Sequence, residues 1–388
     1  MEDFIHQYYV PRIGTDSIKW DGMTNTYGEE GLLPLWVADL DFKVPKEVQH
    51  ALSERVDHGI FGYSMPPKNY YETYLDWQLN QHDMKIKQDW IRFSTGVVNS
   101  IHYMIQCFTK KHDSIMILAP VYYPFFDAVR DNQRKLVVSD LVIEHEQYEM
   151  DFDDIEAKIK AHQIKMLIHC SPHNPVGRVW SQTELEKLLD ICSKHDCLVV
   201  SDEIHQDFVA SGYTFVSVLN IGEKYRENLI ILNSASKSFN LASLLHSHIV
   251  IPSKEKQEQY DLFAKIVVNN APSLFGMVAT QASYEYGLKW LASLNQVIDN
   301  NFILLKELFK ELLPKAVVYD KQGTYLAWID LSFYLNGEVS IQDIQHKAKV
   351  AVDYGEWFSD KSKTCIRLNL GTHPDIIKQA VYQIKSIF

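Results

Sequence analysis

The sequence predicts an α/β protein: a large domain with a mostly parallel seven-stranded sheet covered by helices, plus a smaller α+β domain. Two observations lead there. Short apolar runs alternate with longer amphipathic segments over the first two thirds of the chain, the pattern of buried strands and the helices that cover them. From about Met277 the pattern changes to long helices and a few separate strands. A chain of 388 residues is long enough for both units.

The predicted strands of the large sheet are Trp90–Ser94, Ser114–Leu118, Lys135–Val138, Lys165–Cys170, Cys197–Ser201, Ile230–Asn233 and Ser247–Ile251. Each is too short for a helix. Several gaps carry helical spacing, as in Thr183–His195, where Leu185, Leu188, Leu189 and Cys192 recur on one face. Tyr284–Leu313 reads as one long helix stopped by Pro314. Strands at Ala316–Tyr319 and Thr324–Leu331, a helix at Ile341–Lys349, a strand at Thr364–Leu370 and a helix from Pro374 complete the smaller unit. The expected division is 46–283 for the large domain and 1–45 with 284–388 for the small one.

Composition narrows the function. A net charge of −12 and a pI near 5.7 argue against nucleic acid or an anionic membrane as partner. No basic stripe is present to neutralise a phosphate backbone, and no apolar stretch approaches the length of a membrane span. The start, Met1-Glu2-Asp3-Phe4, is acidic and has no apolar signal core. Cys107, Cys170, Cys192, Cys197 and Cys365 are scattered, with no second pair at metal-ligand spacing, so no metal site is expected. Three lie in apolar runs, where cysteine behaves as a small hydrophobe. The expectation is a reduced, cytoplasmic protein.

Chemistry concentrates just beyond the strand ends, where open α/β sheets bind ligands. After Trp90–Ser94, Thr95-Gly96-Val97-Val98 opens an amphipathic helix whose free N–H groups suit a phosphate. A plain strand-to-helix turn explains the same residues. After Ser114–Leu118 comes Tyr122, an aromatic placed either to stack on a planar ring or simply to pack. After Lys165–Cys170, Asn174-Pro175-Val176-Gly177 is either a turn and nothing more or one whose Asn174 amide donates to a cofactor ring hydroxyl.

Asp202, following Cys197–Ser201, is costly to bury unless paired; helix capping is the simpler role, a pyridinium nitrogen the sharper one. Finally Ser234-Ala235-Ser236-Lys237 follows the strand Ile230–Asn233. A lysine at the mouth of a buried strand, flanked by hydroxyls, suits a Schiff base with a cofactor aldehyde whose phosphate the serines bind. Each site alone has a bland explanation. Five of them, all just beyond strand ends of one alternating domain, are not coincidence.

With Tyr122, Asn174-Pro175-x-Gly177, Asp202, Ser234-x-x-Lys237 and Arg367 in Ile366-Arg367-Leu368-Asn369, the chain resembles the fold-type I pyridoxal-phosphate enzymes of the aspartate aminotransferase superfamily. The resemblance covers nearly the whole chain. It is closest to the cystathionine β-lyase (C–S lyase) branch, through Leu35-Trp36-Val37-Ala38-Asp39-Leu40-Asp41-Phe42, Phe61-Gly62-Tyr63, Gly96-Val97-Val98, Asn174-Pro175-Val176-Gly177-Arg178-Val179-Trp180, Asp202-Glu203-Ile204-His205 and Gly323-Thr324-Tyr325-Leu326-Ala327-Trp328.

The resemblance implies pyridoxal 5'-phosphate as cofactor, tied to the catalytic Lys237. It implies Asp202 on the pyridine nitrogen, Asn174 and His205 on the ring hydroxyl, and Tyr122 stacked on the ring. Val97, Val98, Ser234 and Ser236 would hold the phosphate. Tyr63 would reach the phosphate of a neighbouring subunit, making a homodimer with shared sites. Arg367 and Ala38 would meet the amino-acid substrate, Arg367 through a bidentate grip on its carboxylate.

Two departures predict a weaker hold on the phosphate: Ser243 where the family has glycine, and Leu245 where it has a basic residue. A third, Phe358–Cys365 in place of a glycine-rich turn, alters the loop before Arg367. The implied activity is β-cleavage of cystathionine or a related cysteine S-conjugate to a thiol, pyruvate and ammonia. The alternatives are an aminotransferase for an apolar or aromatic amino acid, and a non-catalytic regulatory protein on the same fold. The loss at Leu245 favours the last; intact Lys237, Asp202 and Arg367 oppose it.

Overall fold

The computed structural model describes residues 2–267, 272–335 and 337–388. Its large sheet has seven strands in the spatial order Ile91–Ser94, Ser247–Val250, Leu229–Asn233, Leu198–Asp202, Met166–Cys170, Ser114–Ala119, Lys135–Asp140. Ser247–Val250 runs antiparallel to both neighbours and the remaining pairs are parallel. The mostly parallel expectation is met.

The central strands are buried along their whole length. Side chains alternate between two faces. Ile115, Ile117, Met166, Ile168, Val200 and Leu232 belong to one core, and Met116, Leu118, Leu167, Val199 and Ile231 to the other. Continuous apolar runs are what two covered faces require. Register aligns the strand ends: Cys170 lies beside Asp202, and Asp202 beside Leu232. Residues that follow these strands therefore gather along one edge.

A second sheet orders Val317–Val318, Leu326–Asp330, Cys365–Asn369 and Asp353–Tyr354, all antiparallel. The N-terminal segment joins it. Leu33–Pro34 pairs in parallel with Val350–Ala351, and Asn369 N donates to Leu35 O at 2.9 Å. The segment then runs toward the large sheet, where the Asn240 amide bonds Leu40 N and O at 3.1 and 2.9 Å.

Several elements differ from expectation, among them a strand at Val317–Val318 in place of the expected Ala316–Tyr319 and unexpected short strands at Leu33–Pro34, Val350–Ala351 and Asp353–Tyr354. The single helix Tyr284–Leu313 is two, Leu274–Tyr286 and Leu288–Leu312, meeting at Gly287. Phe239 packs so closely there that a Cβ on Gly287 would lie 2.3 Å from its ring. Apolar periodicity does not register such a break because both helices bury the same kind of face. The helix Ile341–Lys349 shrinks to Asp343–His346, since Lys349 turns left-handed (φ 58°) ahead of the pairing strand. Thr324 is likewise left-handed (φ 65°), so that strand begins at Leu326.

Candidate active site

At the carboxyl edge of the large sheet lies a cavity of about 200 Å³. Its walls include Ala38, Gly96, Val97, Val98, Tyr122, Asn174, Asp202, His205, Ser236 and Lys237. Residues separated by up to two hundred positions meet because parallel strands end together.

Lys237 sits in a one-turn helix, Ala235–Ser238, that starts where the buried strand Leu229–Asn233 stops. Its Nζ donates to Ala38 O at 2.6 Å, and Tyr325 OH donates to the same carbonyl at 2.7 Å. Burial lowers the Lys237 ammonium to about 8, Arg367 adding to the effect while Asp39 and Asp202 oppose it. A free amine is thus accessible near neutral pH. The neighbouring Ser238 is held by the buried Asp207, which also accepts from His82 at 2.8 Å and Trp77 at 3.2 Å.

Asp202 is buried, and burial raises its carboxyl to about 7 against the Ile204 N–H at 3.0 Å and the charge of Lys237. A carboxylate this costly to ionise gains most from a cationic N–H partner. His205 is buried and held neutral, its pKa driven well below the usual value by desolvation, then by Lys237 and Arg367. Its ring lies 5.6 Å from that of Tyr325. The turn bearing Asn174 is closed by Gly177 N to His173 O at 2.8 Å; Gly177 is left-handed (φ 73°) with Lys321 Cα only 3.4 Å from where a Cβ would stand.

Val97 and Val98 begin the helix Val97–Phe108, whose Val97, Ile101, Met104 and Ile105 are buried, and its N-terminus opens on the cavity. Ser236 also lines the cavity. Ser234 does not: its hydroxyl donates to His246 O at 2.6 Å and accepts from Ser236 N at 3.0 Å, capping the Lys237 turn.

Arg367 is buried behind Asn174, donating to Asn174 Oδ1 at 2.9 Å, Trp36 O at 3.0 Å and Asp353. Its Nε has no partner among the described residues, which leaves that N–H for a carboxylate. Tyr63 lies apart from the cavity of its own chain and is fully exposed.

Sequence reasoning gave no role to Tyr325, Asp353 or His246. Tyr325 stood within a noted motif, and its left-handed neighbour Thr324 sets its direction. Asp353 and His246 carried no sequence signal.

A lysine with an accessible free base, a buried carboxylate, a ring-sized aromatic wall and a helix N-terminus together suit pyridoxal phosphate. Fold and site define a fold-type I pyridoxal-phosphate enzyme. The aminotransferase class I and II family model matches residues 31–384, and the chain belongs to that family. It is 33% identical to the cystathionine beta-lyase PatB of Bacillus subtilis (strain 168), over 97% of each chain. Cystalysin of Treponema denticola, solved with its pyridoxal 5'-phosphate, superposes with a TM-score of 0.93 at 33% identity over 97% of each chain. The PLP-bound C–S lyase of Staphylococcus hominis gives 0.91 at 32% identity, covering 97% of this chain and 96% of that one.

Proposed function

We propose that the protein is a C–S β-lyase acting on cystathionine or a related cysteine S-conjugate. The observation that carries this over the aminotransferase reading is full-length likeness to several proteins named for that cleavage, joined to an intact Lys237 site. Bound pyridoxal phosphate supplies an electron sink for the substrate Cα. The chain's own residues do the rest. Asp202 would hold a proton on the ring nitrogen, Asn174 and His205 would hold the ring hydroxyl, and Arg367 would orient the substrate carboxylate. Lys237 Nζ takes the Cα proton as general base, helped by its lowered pKa. The thiolate leaves Cβ with the bonding pair, and water completes the release of pyruvate and ammonia.

A homodimer with Tyr63 serving the opposite site is part of this reading. Exposed Val56, Ile60, Phe61, Tyr63 and Met65 all lie in the segment 56–65 and offer apolar side chains for a second copy to cover. Buried Cys170, Cys192, Cys197 and Cys365 act as small hydrophobes, which fits a reducing, cytoplasmic setting.

The test is to incubate the purified protein with cystathionine and, separately, with an amino acid and a keto-acid acceptor. Pyruvate and thiol from the first supports the lyase. Amino transfer in the second, without pyruvate in the first, overturns it.

A further inference from the structure

His246 also lines the cavity, at the position after Leu245. Leu245 itself is left-handed (φ 52°) and 53% exposed, so it turns away from the site while the histidine turns in. His246 is 5% exposed and its Nδ1 has no hydrogen-bond partner among the described residues. It shares the cavity wall with the N-terminus of the helix Val97–Phe108. Its Nε2 lies 2.5 Å from Tyr70 OH, and Tyr70 OH lies 2.7 Å from His248 Nε2.

The protons in this chain can be assigned. Burial keeps both histidines neutral, lowering His246 to about 4 and His248 well below its usual value, so each ring carries one N–H. Burial also keeps the Tyr70 phenol protonated. With one proton to give, Tyr70 donates to one histidine and accepts from the other.

If it donates to His248, an N–H is left at His248 Nδ1, on a wholly buried strand residue with no partner among the described residues. If it donates to His246, the lone N–H falls at His246 Nδ1, on a residue of the cavity wall. Each arrangement leaves one buried N–H and one buried lone pair without a partner among the described residues, but only the N–H at His246, on the cavity wall, can be met by an oxygen bound in the cavity, and such an oxygen favours the second arrangement.

We propose that His246 is the anion anchor at the phosphate end of the cavity, presenting Nδ1–H to a phosphoryl oxygen in a tautomer set by Tyr70 and His248. It takes the place of the missing basic residue at Leu245. The proposal rests on the pyridoxal-phosphate reading of the cavity and goes beyond it. Tyr70 acts here as a positioning residue through His246.

The full chain, stripped of cofactor, is titrated with pyridoxal phosphate and with pyridoxal, following absorbance and tryptophan fluorescence. His246→Ala is expected to weaken pyridoxal phosphate about ten- to a hundredfold, the range for a charge-assisted hydrogen bond, and pyridoxal about twofold or less. His246→Gln, which retains an N–H donor, should recover part of the loss. Tyr70→Phe, lacking one oxygen, should show a smaller phosphate-only loss. Equal losses for both ligands, or none for either, would overturn the anchor. A wild-type chain that does not take up pyridoxal phosphate at all would instead sink the cofactor reading beneath it.

Discussion

Asp353 and Arg367 stand directly opposite each other on adjacent antiparallel strands, both buried, with the guanidinium donating to the carboxylate. The pair fixes one face of Arg367 and leaves Nε free. Burial raises Asp353 to about 6 even against Arg367, so the pairing is held at a desolvation cost.

Removing one partner of a buried pair strands the other. Asp353→Ala is expected to lower stability by about 3–5 kcal/mol in urea unfolding, and Asp353→Asn, which keeps a carbonyl acceptor, by less. If both variants unfold like wild type, the pair does not hold Arg367 in place.

Lys237 should carry the cofactor. Borohydride reduction of the purified yellow protein is expected to fix the cofactor to the peptide containing Lys237, and Lys237→Ala should abolish the label. Mass spectrometry locating it on another lysine would refute the assignment.

Stability of the cofactor-free chain should depend on pH with a sign that follows from its buried groups. His169, His173, His205, His246 and His248 are all lowered in the folded state, so the unfolded chain binds more protons below about 6.5 and acid destabilises. Asp202, Glu203 and Asp353 are raised to about 7, 7 and 6, so they oppose that trend as pH falls. Five groups outweigh three, and melting temperature should fall from pH 6.5 to 4. Asp202→Asn removes one opposing group: the variant should be more stable than wild type at pH 8 and lose stability more steeply toward pH 5. A shallower slope for the variant would contradict the burial of a neutral Asp202.

Tyr63 should act across a dimer interface. An inactive Tyr63→Ala chain mixed with an inactive Lys237→Ala chain, after subunit exchange, should regain part of the activity, because both lesions then fall on one shared site. No rescue from hybrids whose exchange is confirmed, or full turnover by a monomer, would place Tyr63's role elsewhere.

Gly287 links the fold to the site. Phe239, two residues beyond Lys237, occupies the space a side chain would need there. Gly287→Ala should cost about 1–3 kcal/mol, the usual penalty for overpacking, seen as a lower urea midpoint. An unchanged midpoint would show that both Phe239 and the Ser283 carbonyl, 2.4 Å from such a Cβ, give way.

Much of the architecture was legible in the chain. Apolar runs at Met166–Cys170, Leu198–Asp202 and Leu229–Asn233 announce strands because both faces of each are covered. Lys237, Asp202 and Asn174 were legible because polar residues that close a buried run are costly without a task. The break at Gly287 was not, since it depends on Phe239 from a distant segment. Nor was the inward turn of His246 beside an outward Leu245, which depends on one left-handed backbone angle.

What the sequence by itself determined is the strands of the large sheet, their mostly parallel arrangement and the residue types at their ends, because local periodicity and short-range polarity encode these. Tertiary structure alone decided which groups share a proton or a charge. The Ala38 carbonyl beneath Lys237, Asp353 across from Arg367, and Tyr70 between two histidines are contacts between segments far apart in the chain. Desolvation at those contacts sets their chemistry, and it exists only once the chain has packed.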